Sequence, residues 1–304
     1  MKRILVLRGG AMGDFIVTLP ALDLLRRRWP EAQIELIGNP QVAVLGGWTG
    51  HLHALHSQHA ARWVPLFGPP PLPSDLGTWL DGFDLVLNYW PDPDRALARH
   101  FPRHSRQSYL AASAQPVLTP AARHFCAPLR ELGLTATSFH SRLPCLSGHL
   151  RDETIAIHPG SGSSRKNWPL ERWIELCERL SQWSHVPLLI VGGEADAAGL
   201  AALSRFGEVS RQLPLPALAE RLARCRLFLG HDSGVSHLAA ASHTPCLLLF
   251  GPTDPVMWAP PGEHVRVLRE GTDLKTIPVE KVWATLIRLA SEASAGLPPS
   301  TSSA

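Results

Sequence analysis

Short apolar runs alternate with amphipathic stretches along most of the chain. Residues 4–7, Ile4-Leu5-Val6-Leu7, are apolar throughout and lead at once into Gly9-Gly10-Ala11-Met12-Gly13 and a helical pattern that extends to Arg28, which reads as strand, loop and helix. Pro20 interrupts the pattern, so the helix either kinks there or starts again near Thr18, whose hydroxyl can cap it; Trp29-Pro30 ends it. Further strands are expected at 34–37 and 85–87, and the alternation of strands with helices implies a parallel sheet. Between them, the segment rich in Trp, His and Pro that holds Pro65, Pro69, Pro70, Pro71 and Pro73 is expected to be a long irregular surface excursion.

The second half repeats this grammar. Strands are expected at 154–158, 187–191, 227–229, 246–250 and 265–268, and helices at 170–183, 195–205, 217–224 and 235–242, which makes a second doubly wound domain. The boundary between the halves is expected within 147–152. A final helix at 278–290 carries an apolar stripe of Val279, Val282, Trp283, Leu286, Ile287 and Leu289, which must dock on something. The Ser- and Pro-rich end is expected to be disordered. The division is therefore 1–149, 150–277, the helix 278–292 and a tail 293–304.

Composition agrees with this class. At 304 residues the chain suits two domains of about 150 residues each, and its 45% hydrophobic and 18% charged content is that of an ordinary soluble globular protein. No apolar run reaches the ~18 residues of a membrane span, and the start is too short in apolar residues for a signal peptide, which places the chain in the cytoplasm. Cys126, Cys145, Cys177, Cys225 and Cys246 form no C-x-x-C pair and read as reduced thiols without a structural metal. A net charge of +3 is too mild for a nucleic-acid binder. Arg95, Arg99, Arg103, His104 and Arg106 nevertheless cluster, either as a patch for an anionic partner or as an ordinary solvated surface.

In parallel sheets ligands collect at the carboxyl ends of strands, so the loops after strands carry the chemistry. Gly230-His231-Asp232-Ser233-Gly234-Val235 follows a strand and opens into a helix, where the amides of Ser233, Gly234 and Val235 and the helix dipole suit a diphosphate. His237 sits one turn further in. Asp232 or Ser233 is equally an N-cap, a role compatible with anion binding. In 158–169, Gly160 and Gly162 permit close approach to a ligand around Ser161, and Arg165 and Lys166 offer charge to a phosphate. Glu194, after a strand and two glycines, suits ribose hydroxyls or the next helix start. Asp14, following Gly13, is the best candidate for a general base, with helix capping as the alternative. His51, His53, His56 and His59 have the spacing of a metal site but no accompanying acid in their segment.

At these loops the sequence resembles the family nine glycosyltransferases, the heptosyltransferases of the lipopolysaccharide inner core. The resemblance runs along the chain. It is carried by Ile4-Leu5-Val6-Leu7-Arg8 with Met12-Gly13-Asp14 and Thr18-Leu19-Pro20, by His158-Pro159-Gly160-Ser161 with Arg165-Lys166-Asn167-Trp168-Pro169, by Asp232-Ser233-Gly234 with His237, and by Phe250-Gly251-Pro252-Thr253-Asp254-Pro255. It implies an α/β GT-B fold: two Rossmann-like domains facing a cleft, the donor on the second, the acceptor on the first, and the final helix returning towards the first. It further implies inverting transfer from ADP-heptose to a lipopolysaccharide core or related glycan. Asp14 would be the base, Lys166 would face the diphosphate, Glu194 the ribose, and Asp232, Ser233, Gly234 and His237 the sugar and phosphates. Apart from the resemblance, the basic cluster with Arg95, Arg99 and Arg103 is expected to meet a phosphorylated glycolipid acceptor at the inner membrane face. No metal or other cofactor is expected, since helix starts and basic side chains replace the cation.

Two rivals remain at this level. Gly10-Ala11-Met12-Gly13 is a partial dinucleotide fingerprint of the kind found in NAD-dependent dehydrogenases, without the full G-x-G-x-x-G spacing. Two-lobed α/β proteins also serve as non-catalytic binders of sugar nucleotides.

Overall fold

A computed structural model describes residues 1–143, 150–183, 186–193 and 196–295 of the chain. It divides into two compact units between Ser141 and Arg142, upstream of the expected boundary, part of which lies outside the described residues.

The first unit is built on β1 (Arg3–Arg8), β2 (Gln33–Gly38), β3 (Ala54–Ser57), β4 (Leu85–Asn88) and β5 (Ser108–Ala111). All pair in parallel, in the order β3-β2-β1-β4-β5. Strand order reverses between β1 and β4, which makes the carboxyl ends of these two strands the switch point where ligands bind. After β1 come α1 (Met12–Ile16) and α2 (Leu19–Arg28). The helix therefore breaks and restarts at 19, with Pro20 in the first turn of α2, where its missing N–H costs nothing. Thr18 does not cap it by side chain: its hydroxyl donates to the Asp14 carbonyl at 2.8 Å instead.

The expectation of an irregular excursion before β4 is corrected. That segment holds β3, a 3-10 turn (Ala61–Phe67) and, after α3 (Pro40–Trp48), a fourth helix α4 (Ser74–Asp81). Its prolines stand at the margins of these pieces or in the 3-10 turn, while Trp63, Leu66, Leu76 and Leu80 are buried in one cluster with Leu5, Leu7 and Val86 of the sheet. Burial of large side chains outweighs the low propensity of a Pro-rich stretch. The unit also contains α5 (Ala121–Cys126).

The second unit has β6 (Ile155–Ile157), β7 (Leu188–Gly192), β8 (Glu208–Arg211), β9 (Leu227–His231), β10 (Cys246–Phe250) and β11 (Val265–Arg269), again all parallel, in the order β11-β10-β9-β6-β7-β8. Its switch point lies between β6 and β9. The helices are α6 (Leu170–Trp183), α7 (Ala197–Leu203), α8 (Leu215–Ala223), α9 (Gly234–Ala241), the short α10 (Pro255–Trp258) and α11 (Val279–Ala295). Val279, Val282, Leu286 and Leu289 of α11 are buried in the second unit's own core, with Trp173, Leu176 and Leu180 of α6. The helix also runs to Ala295, through the start of the expected disordered tail; 296–304 lie outside the described residues. Among the described residues no helix is long and apolar enough to cross a membrane.

Candidate active site

In the first unit, Asp14 lies in the first turn of α1, just beyond the carboxyl end of β1. It is not the N-cap; that is Ala11. Asp14 instead reaches back as the third helical residue, its Oδ2 accepting from the Ala11 N–H at 2.9 Å. Oδ1 accepts from Arg8 Nη2 at 3.2 Å, and the side chain stays 34% exposed. Gly13 shares this turn. Burial pulls the Arg8 guanidinium below its ordinary range, against the opposing pull of Asp14.

Beside this loop, a cavity of about 630 Å³ opens at the ends of β4 and β5, lined by Asn88, Trp90, Asp92, Arg95, Tyr109 and neighbouring small residues. Its wall reaches the Asp14 loop, because the indole Nε1 of Trp90 lies 3.5 Å from where a β-carbon on Gly9 would stand. Asn88 is fixed, accepting from the Trp90 N–H at 2.8 Å and donating to the Tyr109 hydroxyl at 3.1 Å. Burial pushes Tyr109 up to about 12. Both Asp92 oxygens accept backbone amides, of Leu97 and Ala98.

The structure splits the expected arginine cluster. Arg95 lines the cavity, but Arg103 pairs with Asp81 at 2.6 Å and Arg99 donates to the Arg95 carbonyl, both outside the lining. The four weighed histidines are also dispersed: His51 contacts Asp23 and Thr49, His53 lies beside Arg26, His56 contacts Glu35, and His59 lies beside Gln58. Among the described residues no group of three or more His, Cys, Asp or Glu is arranged to hold a metal. Cys126, Cys177, Cys225 and Cys246 are buried free thiols, and Cys145 lies outside the described residues.

In the second unit, the loops after β6 and β9 meet at the switch point. Lys166, at the end of a 3-10 turn (Ser164–Lys166), places Nζ 2.7 Å from Asp232 Oδ2. Arg165, next to it, instead lines a polar cavity of about 470 Å³ with Asn167, Thr272, Asp273 and Lys275. Ser233 is the N-cap of α9, its oxygen accepting from the Ser236 N–H at 3.3 Å. The amides of Gly234 and Val235 find no acceptor among the described residues, which leaves the helix start open to an anion. His237 follows one turn on and is buried.

Buried polar groups hold these loops in register. His231 accepts from the Trp168 N–H at 2.9 Å through Nε2, which assigns its proton to Nδ1, donated to the Gly160 carbonyl at 3.2 Å. Burial keeps this ring neutral, lowering it to about 3. His158 lies 3.2 Å from Ser233 Oγ and 3.4 Å from Asp196 Oδ2. Burial alone would raise Asp196, but His158 and the Gly193 N–H outweigh it and hold the carboxylate below its usual range.

Gly160 does not serve close approach to a ligand: a β-carbon there would overlap Asp196 Oδ1 at 1.6 Å, so the glycine makes room for that carboxylate. Gly162 is exposed and faces open space. The Ser161 hydroxyl is used inside the loop, against Ser163 O and Asn167 Oδ1, each at 2.7 Å. Glu194 lies outside the described residues. Reading the sequence had missed Asp196 and the brace of Arg8 on Asp14; the signal for the latter was a charged residue closing an aliphatic strand.

A β-carbon on Gly10 would stand 2.6 Å from Asp14 Oδ2, so this glycine makes room for the Asp14 carboxylate.

Residues 106–282, more than half of the chain, match the profile of Glycosyltransferase family 9 (heptosyltransferase). Lipopolysaccharide heptosyltransferase 1 of Pseudomonas aeruginosa is 27% identical over 286 residues, spanning 83% of this chain and 79% of its own. A glycosyl transferase family 9 protein of Veillonella parvula shares the fold with a TM-score of 0.77 at 21% identity, over 96% of this chain and 97% of its own. The Escherichia coli heptosyltransferase WaaC with ADP does so with a TM-score of 0.74 at 19% identity, over 94% and 99%. This chain thus has two parallel-sheet α/β domains of the GT-B kind, as in these solved structures. The chain belongs to glycosyltransferase family 9, the heptosyltransferases.

Proposed function

We propose that this chain is an inverting, metal-independent heptosyltransferase that moves heptose from ADP-heptose to a lipopolysaccharide core or related glycan, with Asp14 as general base. The observation that carries the reading is the Asp14 carboxylate: partly exposed at a switch point, held by one partner on each oxygen, and free to accept a further proton donor. The donor assignment is supported by the related Escherichia coli enzyme, whose structures contain ADP and ADP-2-deoxy-2-fluoro heptose.

In the proposed step the acceptor hydroxyl gives its proton to Asp14 while its oxygen bonds to the anomeric carbon. The bond from that carbon to the β-phosphate oxygen breaks, and ADP leaves with the electron pair. Attack and departure on opposite faces invert the centre. Lys166, Arg165 and the open amides of Gly234 and Val235 stabilise the departing diphosphate in place of a metal. Asp232, Ser233 and His237 contact the sugar and phosphates, Gly13, Ser161 and Gly162 complete the donor site, and Glu194 takes the ribose. The phosphorylated glycolipid acceptor lies against the Arg95 cavity, with peripheral contact at the cytoplasmic face of the membrane.

Transfer from ADP-heptose to a lipopolysaccharide-core acceptor, with and without a strong chelator, tests the reading. Transfer at the same rate under both conditions is expected. No transfer from ADP-heptose, or loss on chelation that added metal restores, contradicts it.

A further inference from the structure

We infer that Arg8 is a positioning residue for the reaction: clamped onto Asp14, it sets the direction in which the base offers its open lone pair. The inference rests on Asp14 being the base, as proposed above.

Arg8 closes β1 after four aliphatic residues and is only 4% exposed, so it does not meet substrate itself. Its Nη2 donates to the Asp14 carbonyl at 2.8 Å and to Oδ1 of the same residue at 3.2 Å. Its Nε reaches that carbonyl and Thr18 Oγ1, each at 3.1 Å, and Thr18 in turn donates to the Asp14 carbonyl. The flat face of the guanidinium lies 4.3 Å from the centre of the Phe125 ring. Phe125 is itself held, its carbonyl accepting from the buried Tyr89 hydroxyl.

The carboxylate is fixed from the other side as well. Oδ2 takes the Ala11 N–H, and Gly10, at φ +98°, leaves the only backbone that admits the carboxylate so close. A carboxylate tied by one oxygen turns about its last torsion; tied by both, it does not. Each oxygen keeps one uncommitted lone pair, and their direction is set by the guanidinium.

Stability alone does not account for this arrangement. A buried cation whose only carboxylate partner among the described residues is partly exposed pays a large desolvation cost, and an apolar residue of similar volume serves a strand end at least as well. The cation–π contact offsets part of that cost. What the guanidinium supplies and an apolar side chain does not is a fixed orientation of Asp14.

The test uses the full chain carrying Arg8→Met, Arg8→Lys, Asp14→Asn and the Arg8→Met/Asp14→Asn pair. Arg8→Met is expected to lower kcat by about 10²-fold, as a misplaced catalytic group does. Donor KM and ADP affinity should stay within about twofold, and Arg8→Lys should recover part of the rate, because an ammonium keeps the charge but not the fork. In the Asp14→Asn background Arg8→Met should cost less than about twofold, since residues acting as a unit are not additive. Where Arg8→Met does not fold, Thr18→Val removes one anchor and is expected to lower kcat by about fivefold at unchanged KM. An unchanged kcat in Arg8→Met or in Thr18→Val, a loss confined to KM, or an equal loss in the Asp14→Asn background overturns the inference. Asp14→Asn turning over at the normal rate removes the base assignment together with it, whereas an inactive Asp14→Asn beside a fully active Arg8→Met removes the positioning role alone.

Discussion

At the end of β1 an aspartate whose side chain is 34% exposed is held by an arginine that is 3% exposed; at the ends of β6 and β9 a lysine that is 32% exposed is held by an aspartate that is 10% exposed. Both switch points pair a more exposed charge with a more deeply buried counter-charge. The sign is reversed. In the proposed reaction the outward carboxylate accepts a proton and the ammonium beside a helix start holds an anion. The surroundings differ too. The first brace leans on the aromatic ring of Phe125, while the second sits in a hydrogen-bonded frame of His158, His231, Ser233 and Asp196, which joins three loops of one sheet edge.

The comparison breaks most sharply at Asp14. Asp14→Asn keeps the shape but removes the proposed base, and is expected to lower kcat by about 10²- to 10⁴-fold with ADP affinity within about twofold. Turnover near the normal rate in a quenched transfer assay would remove the base from this end of the comparison.

The polar frame of the second unit predicts a pH dependence of stability. His231 is held at about 3 against an ordinary value of 6.5, so below 6.5 the unfolded chain takes up a proton that the folded chain refuses. Its contribution is therefore intact above that pH and is lost as pH falls towards about 3. Between pH 7 and pH 5 the loss is on the order of 2 kcal/mol. Thermal unfolding should show a shallower slope over this window in His231→Gln, and parallel slopes would refute the assignment.

At the cationic end, Lys166→Ala is expected to weaken ADP by about tenfold, partly through the lost charge and partly because Asp232 is left unpaired beside the diphosphate. Lys166→Ala/Asp232→Asn should then bind ADP better than Lys166→Ala in calorimetric titration. If the double variant is weaker, Asp232 is not the counter-charge described.

The smallest effects separate the arginines of the first unit. Arg95→Ala should raise acceptor KM by about threefold, and the difference should shrink in high salt. Arg103→Ala should change it little, since its charge is already matched by Asp81 on the surface. Equal effects from both would restore the cluster as a single patch.

What was legible in the sequence follows burial. The central strands β1, β6, β9 and β10 are unbroken apolar runs because helices cover both faces, and α6 was placed at its observed limits by its apolar period. The strands not read, β3, β5 and β8, all lie at sheet edges, where half-exposed or exposed positions carry His56, Ser108 or Glu208 and dilute the pattern. The Pro-rich segment was misread because its buried tryptophan and leucines are too scattered to show a period. At the site, the loops after β1, β6 and β9 were legible, since glycine between a strand and a helix marks where a sheet opens to ligand. Arg8 on Asp14, Lys166 on Asp232 and Asp196 on His158 were not, because each pairing depends on how the loops close in space.

The most direct test of a single displacement driven by Asp14 is the anomeric configuration of the transferred sugar, read by NMR of the product formed from ADP-heptose. The account predicts the configuration opposite to that of the donor. Retention would contradict it, because one base-assisted attack on the face opposite the leaving diphosphate does not preserve the anomeric centre.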